Sequence, residues 1–232
     1  MEHTEPSADT DSGPSYADEE ENTGEAPLYT PVRELIVCFG DSLTEGYGSS
    51  KFGEADKSKS YPAFLQKKTR VPVLNAGISG DTAALGLSRA RNDVLPENPQ
   101  VVIILLGAND FFRLRPANDT KADLQKLLDL LKKENRKIYL ASFIGDVSWE
   151  TTVFRIIPGL AGHFSLLAEY KKMFTELESE NKELGFIPDI WTGVWGIHMS
   201  DPIHPNAEGY SIMADSIFKA IKPYLQANNL LN

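Results

Sequence analysis

Leu35-Ile36-Val37-Cys38-Phe39-Gly40-Asp41-Ser42-Leu43-Thr44 is an apolar run that stops on a glycine and then presents a hydroxyl. Five apolar residues in a row make a short strand covered on both faces, of the kind found inside parallel sheets. Glycine lets the backbone turn sharply at its end, and aspartate can tie the turn down. Ser42 is then left facing the crevice above the sheet, where open α/β sheets build their sites. Gly-Asp-Ser also occurs in ordinary turns, so the tripeptide needs support from the rest of the chain.

Outward from that stretch, short apolar runs alternate with longer segments of helical period, a pattern of βαβ units on a parallel sheet. Strands are expected near 35–39, 72–75, 101–106 and 137–143, with a weaker one around 186–190. Val101 to Leu106 is apolar at every position, as a central strand should be. Helices fit 61–69, 82–93, 119–134, 163–184 and 206–224, the third capped by Asp119 and Thr120 ahead of Leu124, Leu127, Leu128 and Leu131. Segment 144–162, with Trp149, Phe154 and Pro158-Gly159, reads as a packed surface loop or a lid. The fold class is α/β, with no internal repeat and no second folded domain.

The chain has 232 residues, 41% hydrophobic and 24% charged, enough for one sizeable core. Its net charge of -10 is misleading until it is located. Residues 1–30 carry nine of the 33 acids and no Lys or Arg, which leaves 24 acids against 23 bases, a charge near -1 for the remainder. Nothing basic enough to suit nucleic acid is present, nor a Lys/Arg-rich amphipathic helix suited to a membrane surface. Residues 1–31 are expected to be a disordered acidic tail, because they hold too few aliphatic side chains to offset the entropy of ordering, and 32–232 the folded domain. Such a leader suits the stalk of an extracytoplasmic protein, periplasmic or lipid-anchored with its signal removed; the alternative is a cytoplasmic enzyme with a solubilising tail. Membrane contact is expected only through such an anchor. Cys38, the one cysteine, reads as a small buried hydrophobe.

Acyl transfer needs a nucleophile, a base, a group that orients the base, and donors for the developing oxyanion. Ser42 is the nucleophile candidate. Asn75 to Thr82 follows the second strand and opens a helix, so the Gly80 N–H can point at an anion. Gly107-Ala108-Asn109-Asp110 follows the third strand and offers the Asn109 amide to the same spot. Of four histidines, His3 lies in the tail, His163 suits a helix start, and His198 could line a pocket from an aromatic-rich loop. His204 stands out because Ser200-Asp201-Pro202-Ile203-His204-Pro205-Asn206 sets a carboxylate three residues before it on a stretch that two prolines keep out of helix. There Asp201 can fold back on Nδ1–H and leave Nε2 for Ser42.

Taken together, these blocks resemble the SGNH, or GDSL, hydrolase superfamily, in order from about residue 35 to 210. Gly40-Asp41-Ser42-Leu43 matches the first block, Gly80 the second, Gly107-Ala108-Asn109-Asp110 the third, and Asp201 to His204 the last. Ile78-Ser79-Gly80-Asp81-Thr82 with Gly86, Leu87 and Arg89, and the Ile203 to Asn206 segment, are similar to the bacterial thioesterase I, lysophospholipase L1 and arylesterase group. The resemblance implies a flavodoxin-like three-layer α/β/α sandwich with a central parallel sheet, and metal-free, cofactor-free hydrolysis of small or medium-chain acyl esters or thioesters. It also implies a Ser42, His204 and Asp201 triad with an oxyanion hole of Ser42, Gly80 and Asn109. Asp41, Leu43, Trp191, Trp195 and His198 are the further candidates for substrate contact.

Two rival functions use the same residues differently. A carbohydrate O-acetylesterase would need a more polar cleft, and the tryptophans of loop 187–195 suit either an acyl chain or a sugar. A non-catalytic binding module would not need all five matched positions filled. No His/Cys cluster has metal-ligand spacing, and the strand-end glycines do not form G-x-G-x-x-G.

Overall fold

Parallel pairing needs long crossovers, and the longer segments between the apolar runs supply them as helices. The computed structural model describes Met1 and residues 32–133, 135–145 and 164–232. The expected tail at 1–31, His3, His163 and nearly all of the 144–162 loop lie outside the described residues. Contacts gather Pro31–Asn232 into one unit.

Five strands form the sheet: β1 (Arg33–Gly40), β2 (Val73–Gly77), β3 (Pro99–Leu105), β4 (Lys137–Ala141) and β5 (Gly185–Ile187). Their order is β2-β1-β3-β4-β5 and every pairing is parallel. Val101 to Leu106 is wholly buried, as a central strand flanked by β1 and β4 must be. The seven α-helices among the described residues are α1 (Ser42–Glu45), α2 (Tyr61–Gln66), α3 (Ala83–Asp93), α4 (Ala108–Phe112), α5 (Ala117–Leu131), α6 (Phe164–Glu180) and α7 (Ala207–Ala227). α3, α5 and α6 pack in one layer and α2 and α7 in the other, which gives the expected α/β/α sandwich. α5 buries Leu124, Leu127, Leu128 and Leu131, the i, i+3, i+4, i+7 stripe that faces a core. No helix among the described residues is long and apolar enough to cross a membrane.

Element ends differ from expectation for local reasons. β2 runs on to Gly77 because the polar Asn75 is turned inward, its Nδ2 donating to the Thr44 carbonyl at 2.8 Å and to Ser60 Oγ at 3.0 Å. β5 stops at Ile187, before Pro188, which has no N–H to continue the ladder. α5 begins at Ala117 rather than at Asp119: Pro116, with φ -55°, precedes the first turn, and Asp119 lies within it.

Strand order places the site. β1 leads outward to β2 on one side, and the chain then crosses to β3 on the other, so a crevice opens at the carboxyl ends of β1 and β3. Ser42 follows β1, Gly80 follows β2 and Asn109 follows β3.

Candidate active site

Ser42 opens the four-residue helix α1, and Asp41 caps it by accepting the Leu43 N–H at 3.0 Å. This turn fixes the serine at the strand end. Ser42 Oγ lies 3.0 Å from His204 Nε2, across 162 residues of sequence. His204 Nδ1 lies 2.7 Å from Asp201 Oδ2, while Asp201 Oδ1 accepts the backbone N–H of Ile203 at 2.9 Å and of His204 at 2.8 Å. Burial pushes the Asp201 carboxyl up, but the hydrogen bonds from His204 and from the Ile203 N–H outweigh it and hold the group below the ordinary carboxylate range. An ionised carboxylate only accepts, so Nδ1 carries the proton and Nε2 presents its lone pair to Ser42.

The loop that carries this pair is closed at its base. Asn206 N–H donates to the His198 carbonyl at 2.8 Å, Ser200 N–H to the His204 carbonyl at 2.9 Å, and Asn206 Nδ2 to the Ile197 carbonyl at 2.7 Å. Asn206 then caps α7 by accepting from Glu208 and Gly209 N–H. Tyr47 lays its ring against the imidazole, centroids 4.7 Å apart.

Opposite the serine, Gly80 adopts φ +86°, a conformation that a side chain would strain. Among the described residues, neither Ser42 N–H nor Gly80 N–H is engaged by a hydrogen-bond acceptor. Asn109 Nδ2 donates to the Asp81 carbonyl at 2.9 Å and, at 3.5 Å, toward Asp41 Oδ2, which together orient the amide at the lining of the cleft. The Asp110 carboxylate, wholly buried, accepts from Ala83 N–H and pairs with Arg115, both at 2.8 Å, tying the Asn109 turn to the start of α3.

These groups share a cleft of about 180 Å³ lined by Ser42, Leu43, Gly80, Asn109 and His204, with apolar walls from Phe112, Phe143, Trp191 and Ile203. Trp191 is fixed by its Nε1–H, which donates to the Phe143 carbonyl at 2.7 Å. Two polar donors and a serine–imidazole pair under an apolar wall suit attack on a carbonyl attached to an apolar group. Among the described residues no cluster of His, Cys, Asp or Glu is arranged to hold a metal ion.

The cleft unites Ser42, Gly80, Asn109, His204, Leu43 and Trp191, with Asp201 immediately behind the imidazole. Three residues expected to contact substrate lie outside the cleft lining. Asp41 is 1% exposed beneath the floor, engaged with Leu43 N–H and 3.5 Å from Asn109 Nδ2, where it shapes the turn. Trp195 stacks flat on Trp191, centroids 5.1 Å apart at 19°, and backs the wall without lining it. His198 sits at the base of the loop that carries Asp201 and His204, its Nδ1 3.5 Å from Glu208, also outside the lining. Tyr47, Phe112 and Phe143 were missed. Their one sequence signal is position: Tyr47 between two glycines just after the serine, and Phe112 three residues after Asn109.

A family model described as "GDSL-like Lipase/Acylhydrolase family" matches residues 38–212. The "Thioesterase 1/protease 1/lysophospholipase L1" of Escherichia coli K12 is 27% identical over 192 residues, covering 82% of this chain and 84% of that protein. An "Arylesterase" of Vibrio mimicus is 26% identical over 202 residues, covering 83% and 90%. Among solved structures, a crystal structure of TesA superposes with a TM-score of 0.65 at 25% identity, over 82% of this chain and 98% of that one.

Proposed function

The chain belongs to the GDSL-like lipase/acylhydrolase family of carboxylic ester hydrolases, and from that membership we propose that it cleaves small or medium-chain acyl esters or thioesters through an acyl-enzyme on Ser42. Ser42 Oγ attacks the acyl carbonyl carbon while its proton passes to His204 Nε2. The ionised Asp201 holds the neutral imidazole in the required tautomer and stabilises the imidazolium that then forms. Negative charge moves to the carbonyl oxygen, where the N–H groups of Ser42 and Gly80 and the Asn109 amide receive it. Collapse breaks the bond to the alcohol or thiol, which leaves with the proton from Nε2. Water then attacks the acyl-enzyme, giving its proton to Nε2; Ser42 Oγ departs, takes that proton back, and the acid is released.

The observation that carries this reading is the unbroken chain from Ser42 Oγ through His204 to Asp201, at 3.0 and 2.7 Å. The apolar wall of Phe112, Phe143 and Trp191 supports an acyl chain over an acetylated sugar, and the thioesterase and arylesterase names of the relatives from Escherichia coli and Vibrio mimicus agree. Initial rates on p-nitrophenyl esters from acetyl to long chains, for wild type and Ser42→Ala, test it. The expected result is activity peaking at medium chains and lost in the variant. A sharp acetate preference would favour the O-acetylesterase. No Ser42-dependent hydrolysis, with no labelling by a fluorophosphonate, would overturn the mechanism.

A further inference from the structure

Arg89 lies on α3, outside the cleft lining, yet every nitrogen of its guanidinium is engaged, Nε and Nη2 by residues of the strand ends and loop that carry the site and Nη1 by Asp93 on its own helix. Nη2 donates to the Gly40 carbonyl at 2.9 Å and to the Ala76 carbonyl at 3.0 Å, the last turns of β1 and β2. Nε donates to Asp81 Oδ2 at 2.5 Å and Nη1 to Asp93 Oδ2 at 2.9 Å. The guanidinium carbon stands 4.1 Å over the ring of Phe39, and the side chain is 14% exposed. A planar fork with donors in fixed directions can hold two carbonyls and two carboxylates at once; an ammonium cannot.

Two of these partners, Gly40 and Asp81, adjoin the groups that would receive the oxyanion. Gly40 precedes the Asp41-Ser42 turn, and its carbonyl also accepts the Ile78 N–H at 3.0 Å, which starts the loop carrying Gly80. Asp81 follows Gly80 directly, and the carbonyl of Asp81 accepts the Asn109 amide at 2.9 Å. The guanidinium is thus one bonded step from the Ser42 turn, from the Gly80 loop and from the Asn109 side chain.

We propose that Arg89 is a positioning residue that sets the mutual geometry of the Ser42, Gly80 and Asn109 donors, so that its loss weakens binding of a tetrahedral oxyanion while leaving ground-state binding intact. The inference rests on the acyl-transfer reading of the cleft. It follows from the contrast between the two binding modes. The apolar wall that would hold an acyl group is built from Phe112, Phe143 and Trp191, whereas the hydrogen bonds of Arg89 go to Gly40, Ala76, Asp81 and Asp93. The donors depend on three loops keeping station to within a fraction of an ångström, and a misplacement of about 1 Å can cost roughly a hundredfold in rate.

The test uses Arg89→Lys, which keeps the charge opposite Asp81 but loses the fork, and compares three quantities with wild type: kcat and KM on a p-nitrophenyl ester, the affinity of an alkyl trifluoromethyl ketone, whose serine adduct carries the oxyanion, and the affinity of the carboxylic acid product. The expected result is a fall of ten- to a hundredfold in kcat and, by a similar factor, in ketone affinity, with KM and product affinity within about twofold. If Arg89→Lys does not fold, Arg89→Met with Asp81→Asn, which removes the charge pair as a unit, carries the same measurement. A folded variant in which kcat and ketone affinity are unchanged, or in which ketone and product affinities fall together, overturns the proposal. A wild type that neither turns over the ester nor binds the ketone would instead fail the acyl-transfer reading, and the role of Arg89 with it.

Discussion

Replacing Asp201 with asparagine should stop turnover and leave the fold standing. The carboxylate does two separable jobs. Its Oδ1 accepts the backbone N–H groups of Ile203 and His204 at 2.9 and 2.8 Å, which shapes the loop; its Oδ2 meets His204 Nδ1 at 2.7 Å, which sets the tautomer. Asparagine keeps an oxygen for the two backbone bonds but turns an NH₂ toward Nδ1. The imidazole must then accept at Nδ1 and carry its proton on Nε2, aimed at Ser42 Oγ, where it can no longer take the serine proton. A base in the wrong tautomer costs about four orders of magnitude, or ~5 kcal/mol of barrier at 1.36 kcal/mol per decade. Asp201→Ala provides the contrast: it frees the ring to choose its tautomer but removes both backbone bonds, at about 1 kcal/mol of stability each. The assay is kcat on p-nitrophenyl butyrate beside a thermal melt. An Asp201→Asn protein that melts like wild type and turns over within tenfold of it would refute the tautomer argument.

Three further substitutions address the donors, the packing and the wall. Asn109→Ala should lower kcat by roughly a hundredfold, the ~3 kcal/mol effect of one oxyanion donor, with KM little changed, as steady-state kinetics would read. Gly77→Ala would place its Cβ 2.1 Å from the Glu45 backbone nitrogen, so the turn after Ser42 must move; a loss of about 1–3 kcal/mol in urea denaturation is expected. Trp191→Phe removes the Nε1 bond to the Phe143 carbonyl at 2.7 Å, and should cost about 1 kcal/mol in stability and flatten the preference for longer acyl chains in a p-nitrophenyl ester series.

The parts of this molecule that depend on neighbours in sequence were legible there. Within β1 and β3, Leu35 to Phe39 and Val101 to Leu105 are runs without a polar break, and each site block sits directly after a strand, so the periodicity alone sets Ser42, Gly80 and Asn109 at one edge of the sheet. Asp201 and His204 are three residues apart, within reach of a local bond. What was not legible depends on burial or on contacts across the chain. Asp41 reads as a polar residue beside a nucleophile, and only the packed structure shows it 1% exposed with its oxygens already engaged. Trp191 and Trp195 are indistinguishable in the sequence, yet one forms the wall and the other its backing. Arg89, 47 residues from Ser42, carries no local mark of its contacts with β1 and β2.

Three carboxylates lie beneath the cleft, and their different treatment gives a prediction whose sign is fixed. Asp81 is paired with Arg89 and Asp110 with Arg115, at 2.5 and 2.8 Å. Among the described residues, Asp41 is paired with no cation. Burial pushes its carboxyl up to about 7, the Leu43 N–H pulls the other way, and the charges of Asp81 and Asp110 add to the rise. In the unfolded chain an aspartate titrates near ~3.9, so between that value and about 7 the folded protein binds a proton that the unfolded chain has lost. The stability contributed by this group is therefore full below the unfolded value and lost as pH rises through the folded one. Asp201, held low, acts in reverse: its contribution is present above the unfolded value and lost as pH falls through the folded one. Asp41→Asn keeps an oxygen for the Leu43 N–H and abolishes the titration. Any fixed cost of its amide facing Asn109 is the same at every pH and cancels in a difference. Urea midpoints at pH 5 and pH 8 should then fall for wild type by more than for Asp41→Asn, and equal falls would mean that the Asp41 carboxyl is already ionised at pH 5 despite its burial.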